Sequence, residues 1–162
     1  MAAKVPAAPD PARQAGSGQF WTLFVDGGAR GNPGPSGAGA VLYNERNRRV
    51  AAMKWALGHH TNNEAEYEAL IRGMEMSAAA GARSLEVRSD SELMVKQMIG
   101  QYRVRAAHLV KYARRACEVV ADFAEVRFKA VPREQNREAD RLANQAMDEV
   151  EKRAGKPRQE AQ

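Results

Sequence analysis

Apolar residues alternate in the first part of this chain and recur at helical spacing in much of the rest. In residues 20–26, FWTLFVD, Phe20, Thr22, Phe24 and Asp26 share one face, while Trp21, Leu23 and Val25 share the other. Both faces are largely apolar, which predicts a central strand covered on each side, with a carboxylate as its last residue. A glycine-rich turn follows, then a second strand over 37–44, a hairpin turn at Glu45-Arg46-Asn47 and a third strand over 49–57. Thr61-Asn62-Asn63-Glu64 has the form of a capping box and opens a helix that runs to about Ala80, with Gly81 as its stop.

The spacing then predicts a short strand at Leu85–Ser89, parallel to the first because a helix lies between them. Further on it predicts a short helix over 91–99, a break at Gly100, a longer helix over 105–122 and a last strand over 125–131. Asn136 is placed to cap a final helix reaching about Glu149. The order βββαβααβα predicts an α/β domain, a mixed sheet with helices on its faces. One domain over 19–150 is expected, between an Ala/Pro-rich disordered tail at 1–18 and a polar flexible tail at 151–162.

Composition narrows the classes. Among the 162 residues a single cysteine, Cys117, excludes a disulfide framework and most cysteine-based metal sites. No apolar run is long enough to span a membrane, and a cytoplasmic setting is the expectation. A net charge of +5 points toward a polyanionic partner. The segment from Lys96 to Arg115 sharpens that: Lys96, Arg103, Arg105, Lys111, Arg114 and Arg115 occur with no acid between them. Such a run is either a solvated helix face or a phosphate-contacting patch.

The glycine-rich stretch is not a standard nucleotide loop. Residues 31–37 lack the Gly-Lys-Ser/Thr ending, and Gly37-Ala38-Gly39 lacks a third glycine. The chemistry therefore falls to the carboxylates, each with a plain alternative. Asp26 is a turn aspartate or a ligand at the end of a buried strand. Glu66 shares a helical face with Ala69, Leu70 and Gly73, so it is a stripe-edge acid or an inward ligand. Asp90 lies in a capping sequence, Ser89-Asp90-Ser91-Glu92, yet would stand beside Asp26 at the carboxyl ends of two parallel strands, where open sheets build their sites. Asp140, in the first turns of the last helix, is a helix-dipole acid or borders the buried face with Ala143 and Met147. Taken together, the four are oxygen ligands suited to Mg²⁺ or Mn²⁺.

Four motifs in order resemble the ribonuclease HI family: FVDGGARGNPGPSGAG at 24–39, TNNEAEYEAL at 61–70, VRSDSELMVKQ at 87–97 and REQNREADRLAN at 133–144. The resemblance covers about 20–150. It implies a five-stranded mixed sheet, three antiparallel strands then two parallel, and metal-dependent cleavage of the RNA strand of RNA/DNA hybrids by a monomer. It carries the family's catalytic, metal-holding acids onto Asp26, Glu66, Asp90 and Asp140. Its hybrid contacts fall on Gly27, Gly28, Asn32, Thr61, Asn62, Asn63 and Ser91. It further implies two divalent ions about 4 Å apart, and 5′-phosphate and 3′-hydroxyl products. Many members carry a histidine in the loop before the last helix. Residues 130–136 hold none, and Arg133 stands there instead as an expected phosphate contact. The basic protrusion of many members also looks absent, since only about Gly100 to Val104 joins the second and third helices.

Overall fold

The computed structural model describes residues 19–155, so the expected tail at 1–18 lies outside the described residues. Five strands form one sheet in the order β3-β2-β1-β4-β5: β1 (Trp21–Ala29), β2 (Gly34–Tyr43), β3 (Arg49–His60), β4 (Ser84–Ser89) and β5 (Glu125–Ala130). β1 is antiparallel to β2, and β2 to β3; β4 runs parallel to both β1 and β5. The helices are α1 (Asn62–Ala79), α2 (Glu92–Met98), α3 (Ala107–Val120) and α4 (Arg137–Gly155). This is the mixed sheet expected from the order of elements, with β1 at its centre. No helix among the described residues is long and apolar enough to cross a membrane.

The alternation of the strands sorts the two faces. Leu23 and Val25 of β1, with Ala38, Ala40 and Leu42 of β2, are buried in the core with Leu70 and Met74 of α1. Leu85 and Val87 of β4, Val126 of β5, and Leu109, Ala113 and Ala116 of α3 complete that core. The opposite face of β2 receives α4. A Cβ on Gly37 or Gly39 would run into the α4 backbone at Ala143 and Ala139, so the absence of side chains there lets helix and strand meet directly.

Three elements run past their expected ends. β1 does not stop at Asp26: Gly27, Gly28 and Ala29 stay in the ladder opposite Ala38, Gly37 and Ser36. The chain turns only beyond Arg30, whose N–H donates to Pro35 O at 2.8 Å. Glycines that look like a turn in sequence are here strand residues pressed against a helix. β3 continues through Gly58 to His60 because Leu57 is bulged out of register, which realigns His59 and His60 with Pro35 and Gly34. α4 passes Glu149 and absorbs the start of the expected polar tail. Its last turns are tied down by Lys54 Nζ–Glu149 Oε1 at 2.8 Å and by Arg30 Nη1–Glu151 Oε2 at 2.9 Å.

Candidate active site

The carboxyl ends of β1 and β4 lie side by side, with Phe24 opposite Arg88 in the last parallel pair. Asp26 and Asp90 follow that pair, each two residues on, at the top of the sheet. α1 crosses the same end because its first turn is fixed by a complete capping box. Thr61 Oγ1 accepts from Glu64 N, and Glu64 Oε1 accepts from Thr61 N. One helical turn further on, Glu66 faces inward.

The result is a cluster in which one carboxylate oxygen from each of Asp26, Glu66 and Asp90 lies within 4.8 Å of the others. The plain alternatives for these residues fail on geometry. Asp26 sits inside the β1–β2 ladder, not in a turn. Asp90 does not cap α2, because Ser91 takes that role, its hydroxyl accepting from Met94 N at 3.2 Å. Ser89 Oγ in turn accepts from Ser91 N at 3.0 Å, which leaves the Asp90 carboxylate to the cluster. Glu66 is buried and accepts the Gly27 N–H at 2.6 Å.

Burial and mutual repulsion dominate the electrostatics. Desolvation lifts the Asp26 carboxyl far above the ordinary carboxylate range, and the charges of Glu66 and Asp90 add to the rise. Glu66 is lifted by its own burial, opposed by the Gly27 N–H that favours its ionised form. Two buried acids raised in this way are costly to the fold when ionised, and their oxygens form a group that could hold a divalent ion.

Asp140 stands on the opposite wall. It lines the same cleft, a hollow of about 440 Å³, and its side chain comes close enough to Asp26 to add to the rise of that carboxyl. It is not one of the three clustered ligands: its Oδ1 faces Arg133 Nη2 at 3.5 Å. Arg133 belongs to the 3-10 turn Arg133–Gln135 and its side chain is 75% exposed, at the mouth of the cleft.

The remaining expected contacts divide. Gly28, Asn62 and Ser91 line the acid cleft. Gly27 does too, but its N–H is spent on Glu66, and a Cβ there would overlap the Ala65 carbonyl; its glycine is required by α1. Asn32 lies beside the cleft, its Oδ1 accepting from Asn62 N at 3.1 Å, while Asn62 Oδ1 accepts from Ala29 N at 3.4 Å. Thr61 is the cap of α1. Asn63 opens onto a different groove, shared with Tyr102, Arg103 and Arg105. Asn136 differs from its expected role as a side-chain cap: its Nδ2 donates to Val25 O at 2.8 Å and so ties the start of α4 to β1.

The basic run is partly paired with acids in the fold. Lys96 is 2.7 Å from Glu92 and Arg115 is 3.3 Å from Glu75, so the face is not of one sign. The opposing acids come from just before the run and from α1, outside the window that looked acid-free. Arg103 and Arg105 line the groove beside Asn63, Lys111 lies over the Tyr112 ring, and Arg114 is exposed. The structure adds residues that sequence reasoning missed: Arg30, Asn144 and Met147 also line the cleft. The spacing of Asn144, one turn beyond Asp140, was the available signal for it.

A five-stranded mixed sheet with acids converging at the ends of its two central parallel strands defines the ribonuclease H-like class. The chain is similar throughout its folded part to proteins of that class. A family model described as "Reverse transcriptase-like" matches residues 24–146. The bifunctional protein Rv2228c of Mycobacterium tuberculosis is 43% identical over 127 residues, 78% of this chain and 35% of that protein. The solved N-terminal RNase H domain of Rv2228c superposes with a TM-score of 0.81 at 40% identity, covering 85% of this chain and 99% of that one. Ribonuclease HI of Halobacterium salinarum is 40% identical over 127 residues, 78% of this chain and 64% of that protein. LC11-RNase H1, solved in complex with RNA/DNA hybrid, has a TM-score of 0.76 at 38% identity, covering 80% of this chain and 98% of that one. The chain belongs to the ribonuclease H family. It spans between a third and two thirds of the length of these two curated relatives.

Proposed function

We propose that the chain is an endoribonuclease that hydrolyses the RNA strand of RNA/DNA hybrids, leaving 5′-phosphate and 3′-hydroxyl ends. The observation that carries this reading is the convergence of the Asp26, Glu66 and Asp90 carboxylates within 4.8 Å, in a cleft that Asn62 and Gly28 also line. A module that only bound hybrids would gain nothing from burying mutually repelling acids.

The donor set fits a hard divalent cation. All three ligands are oxygens, and two sit on buried carboxyls whose protons an ion would replace. Asp26, Glu66 and Asp90 would hold Mg²⁺ or Mn²⁺, with Asp140 contributing from the facing wall. Two such ions, when bound, supply an activated water and charge stabilisation at the leaving oxygen.

The chain's own residues position the substrate. Asn32 Oδ1 accepts from Asn62 N and Asn62 Oδ1 from Ala29 N, and among the described residues neither side-chain NH₂ has a protein partner. Those groups are free to donate to a ribose 2′-hydroxyl, the group that separates RNA from DNA. Ser91, which caps α2 beside Asp90, is placed to meet the same strand. The N-terminus of α1 at Thr61 and Asn63 suits a phosphate of the DNA strand. From Asn63 the groove with Arg103 and Arg105 leads onward, a path of positive charge for the same backbone. A guanidinium offers donors only, so the place of Arg133 at the mouth suits a phosphate or product contact, not a base.

The test is a labelled hybrid incubated with Mg²⁺, with Mn²⁺ and with chelator. Cleavage of the RNA strand alone is expected with a divalent ion, and single-stranded DNA is left whole. A hybrid that stays intact with both metals overturns the reading.

A further inference from the structure

We infer that Arg30 is a positioning residue that sets the spacing between the two walls of the cleft. This rests on the reading of the cleft as a hydrolytic site in which Asp140 acts with the three clustered acids. Arg30 lies at the tip of the β1–β2 hairpin, four residues beyond Asp26, and its side chain reaches across to α4. Nη1 donates to Asp148 Oδ1 at 2.6 Å and to Glu151 Oε2 at 2.9 Å. Nη2 lies 3.3 Å from both the carbonyl and the side-chain oxygen of Asn144. Asn144 is linked in turn to the Asp140 backbone, its Nδ2 donating to Asp140 O at 2.9 Å.

Asp140, Asn144, Asp148 and Glu151 follow one another on a single face of α4, so one guanidinium holds the three that come after the acid. The hairpin tip is gripped from the other side as well. Ala29 N donates to Asn62 Oδ1 at the start of α1, and Asn32 Oδ1 receives Asn62 N. The tip is therefore a bridge: α1, which carries Glu66, holds one side, and α4, which carries Asp140, holds the other through Arg30. Four acceptors satisfy the Arg30 fork, including two carboxylates, so it has little charge to offer a phosphate although it lines the cleft.

Steady-state cleavage of a hybrid by Arg30→Ala, by Arg30→Lys and by the double variant Asp148→Asn, Glu151→Gln tests this, well below each protein's melting temperature. Arg30→Ala should lower kcat about tenfold with KM changed less than twofold, because misplaced groups cost rate more than binding. Arg30→Lys, which keeps the charge but loses the fork, should recover only part of the rate. The double variant leaves the arginine and removes its anchors, and should reproduce the fall in kcat.

A rise in KM with kcat intact, or a tighter KM in the double variant, would make Arg30 a substrate contact and overturn the inference. Unchanged kcat and KM with a lower Tm would make it merely structural. Hydrogen exchange separates this from failure of the functional reading. If the parent itself leaves the hybrid intact, the inference still requires Arg30→Ala to speed exchange of the Asp140 and Arg141 amides more than tenfold relative to those of β1. Equal rates would overturn it.

Discussion

The two walls of the cleft are built by different means. The α1 wall is set by direct contact with main chain: capping-box side chains close the first turn onto its own backbone, Gly27 admits the helix backbone at Ala65, and the Gly27 N–H reaches the Glu66 carboxylate. The α4 wall meets β2 through Gly37 and Gly39, but the segment that bears Asp140 is held by side chains, Asn136 to Val25 at one end and Arg30 to Asn144, Asp148 and Glu151 further along. The acids follow suit. Glu66 is buried within the cluster, while Asp140 is half-exposed and leans toward Arg133. A group that must lose its hydration is held by rigid backbone, and one that faces solvent is left on an adjustable support.

The sharpest break is Asp26→Asn, which keeps shape and removes an ionisable carboxyl from the core of the cluster. Metal-dependent cleavage should be lost, and the metal-free protein should melt higher at pH 8, by an amount on the order of 1 kcal/mol. The sign follows from linkage. The folded Asp26 carboxyl titrates far above its unfolded value near 4, so its contribution is fully present below that value and is lost as pH rises toward the folded one. Paired melting curves in chelator should show the gap between variant and parent closing as pH falls to 4. A gap independent of pH would mean that the buried carboxyl is not its source.

Gly27→Ala probes the α1 wall itself. The new Cβ overlaps the Ala65 carbonyl, so helix or strand must shift, at a cost of about 3 kcal/mol measured by urea unfolding. On the α4 wall, Asn136→Ala removes one buried hydrogen bond and strands the Val25 carbonyl, for about 1–3 kcal/mol. The α1 change should be the larger of the two, and the reverse order would contradict the contrast between rigid and adjustable walls. The smallest effect is expected from Arg133→Ala, whose side chain is 75% exposed. Turnover should fall by less than about tenfold, the scale of an exposed charge–charge contact. A loss as large as that of Asp26→Asn, with binding intact, would place Arg133 in the chemistry.

The α1 wall was the more legible in sequence. Thr61 and Glu64 announce the helix by a pattern four residues long, and Glu66 then falls on the inward stripe by spacing alone. The same holds for the order of elements and for Asp26 beside Asp90, which follow from local periodicity and the parallel crossover. What escaped depends on partners far along the chain. Gly27 and Gly28 read as a turn because α1, which presses on Gly27, begins more than thirty residues later. The extra turns of α4 look like a polar tail until Arg30 and Lys54 are brought against Glu151 and Glu149. The run from Lys96 to Arg115 looked free of acids because Glu75 joins it only through the packing of α1 on α3.

The three glycines at the strand–helix contacts carry a consequence for how such a protein can change over time. At Gly27, Gly37 and Gly39 the spacing of helix from strand is a main-chain quantity, with no side chain in between whose size could alter it. Core residues elsewhere can trade volume with their neighbours and leave those separations nearly intact. Substitution at the glycines cannot be absorbed in that way, since the nearest opposing atom is backbone at all three. A region open to gradual sequence drift thus surrounds positions where drift is blocked, and the geometry of the acids depends on Gly27, Gly37 and Gly39 among them.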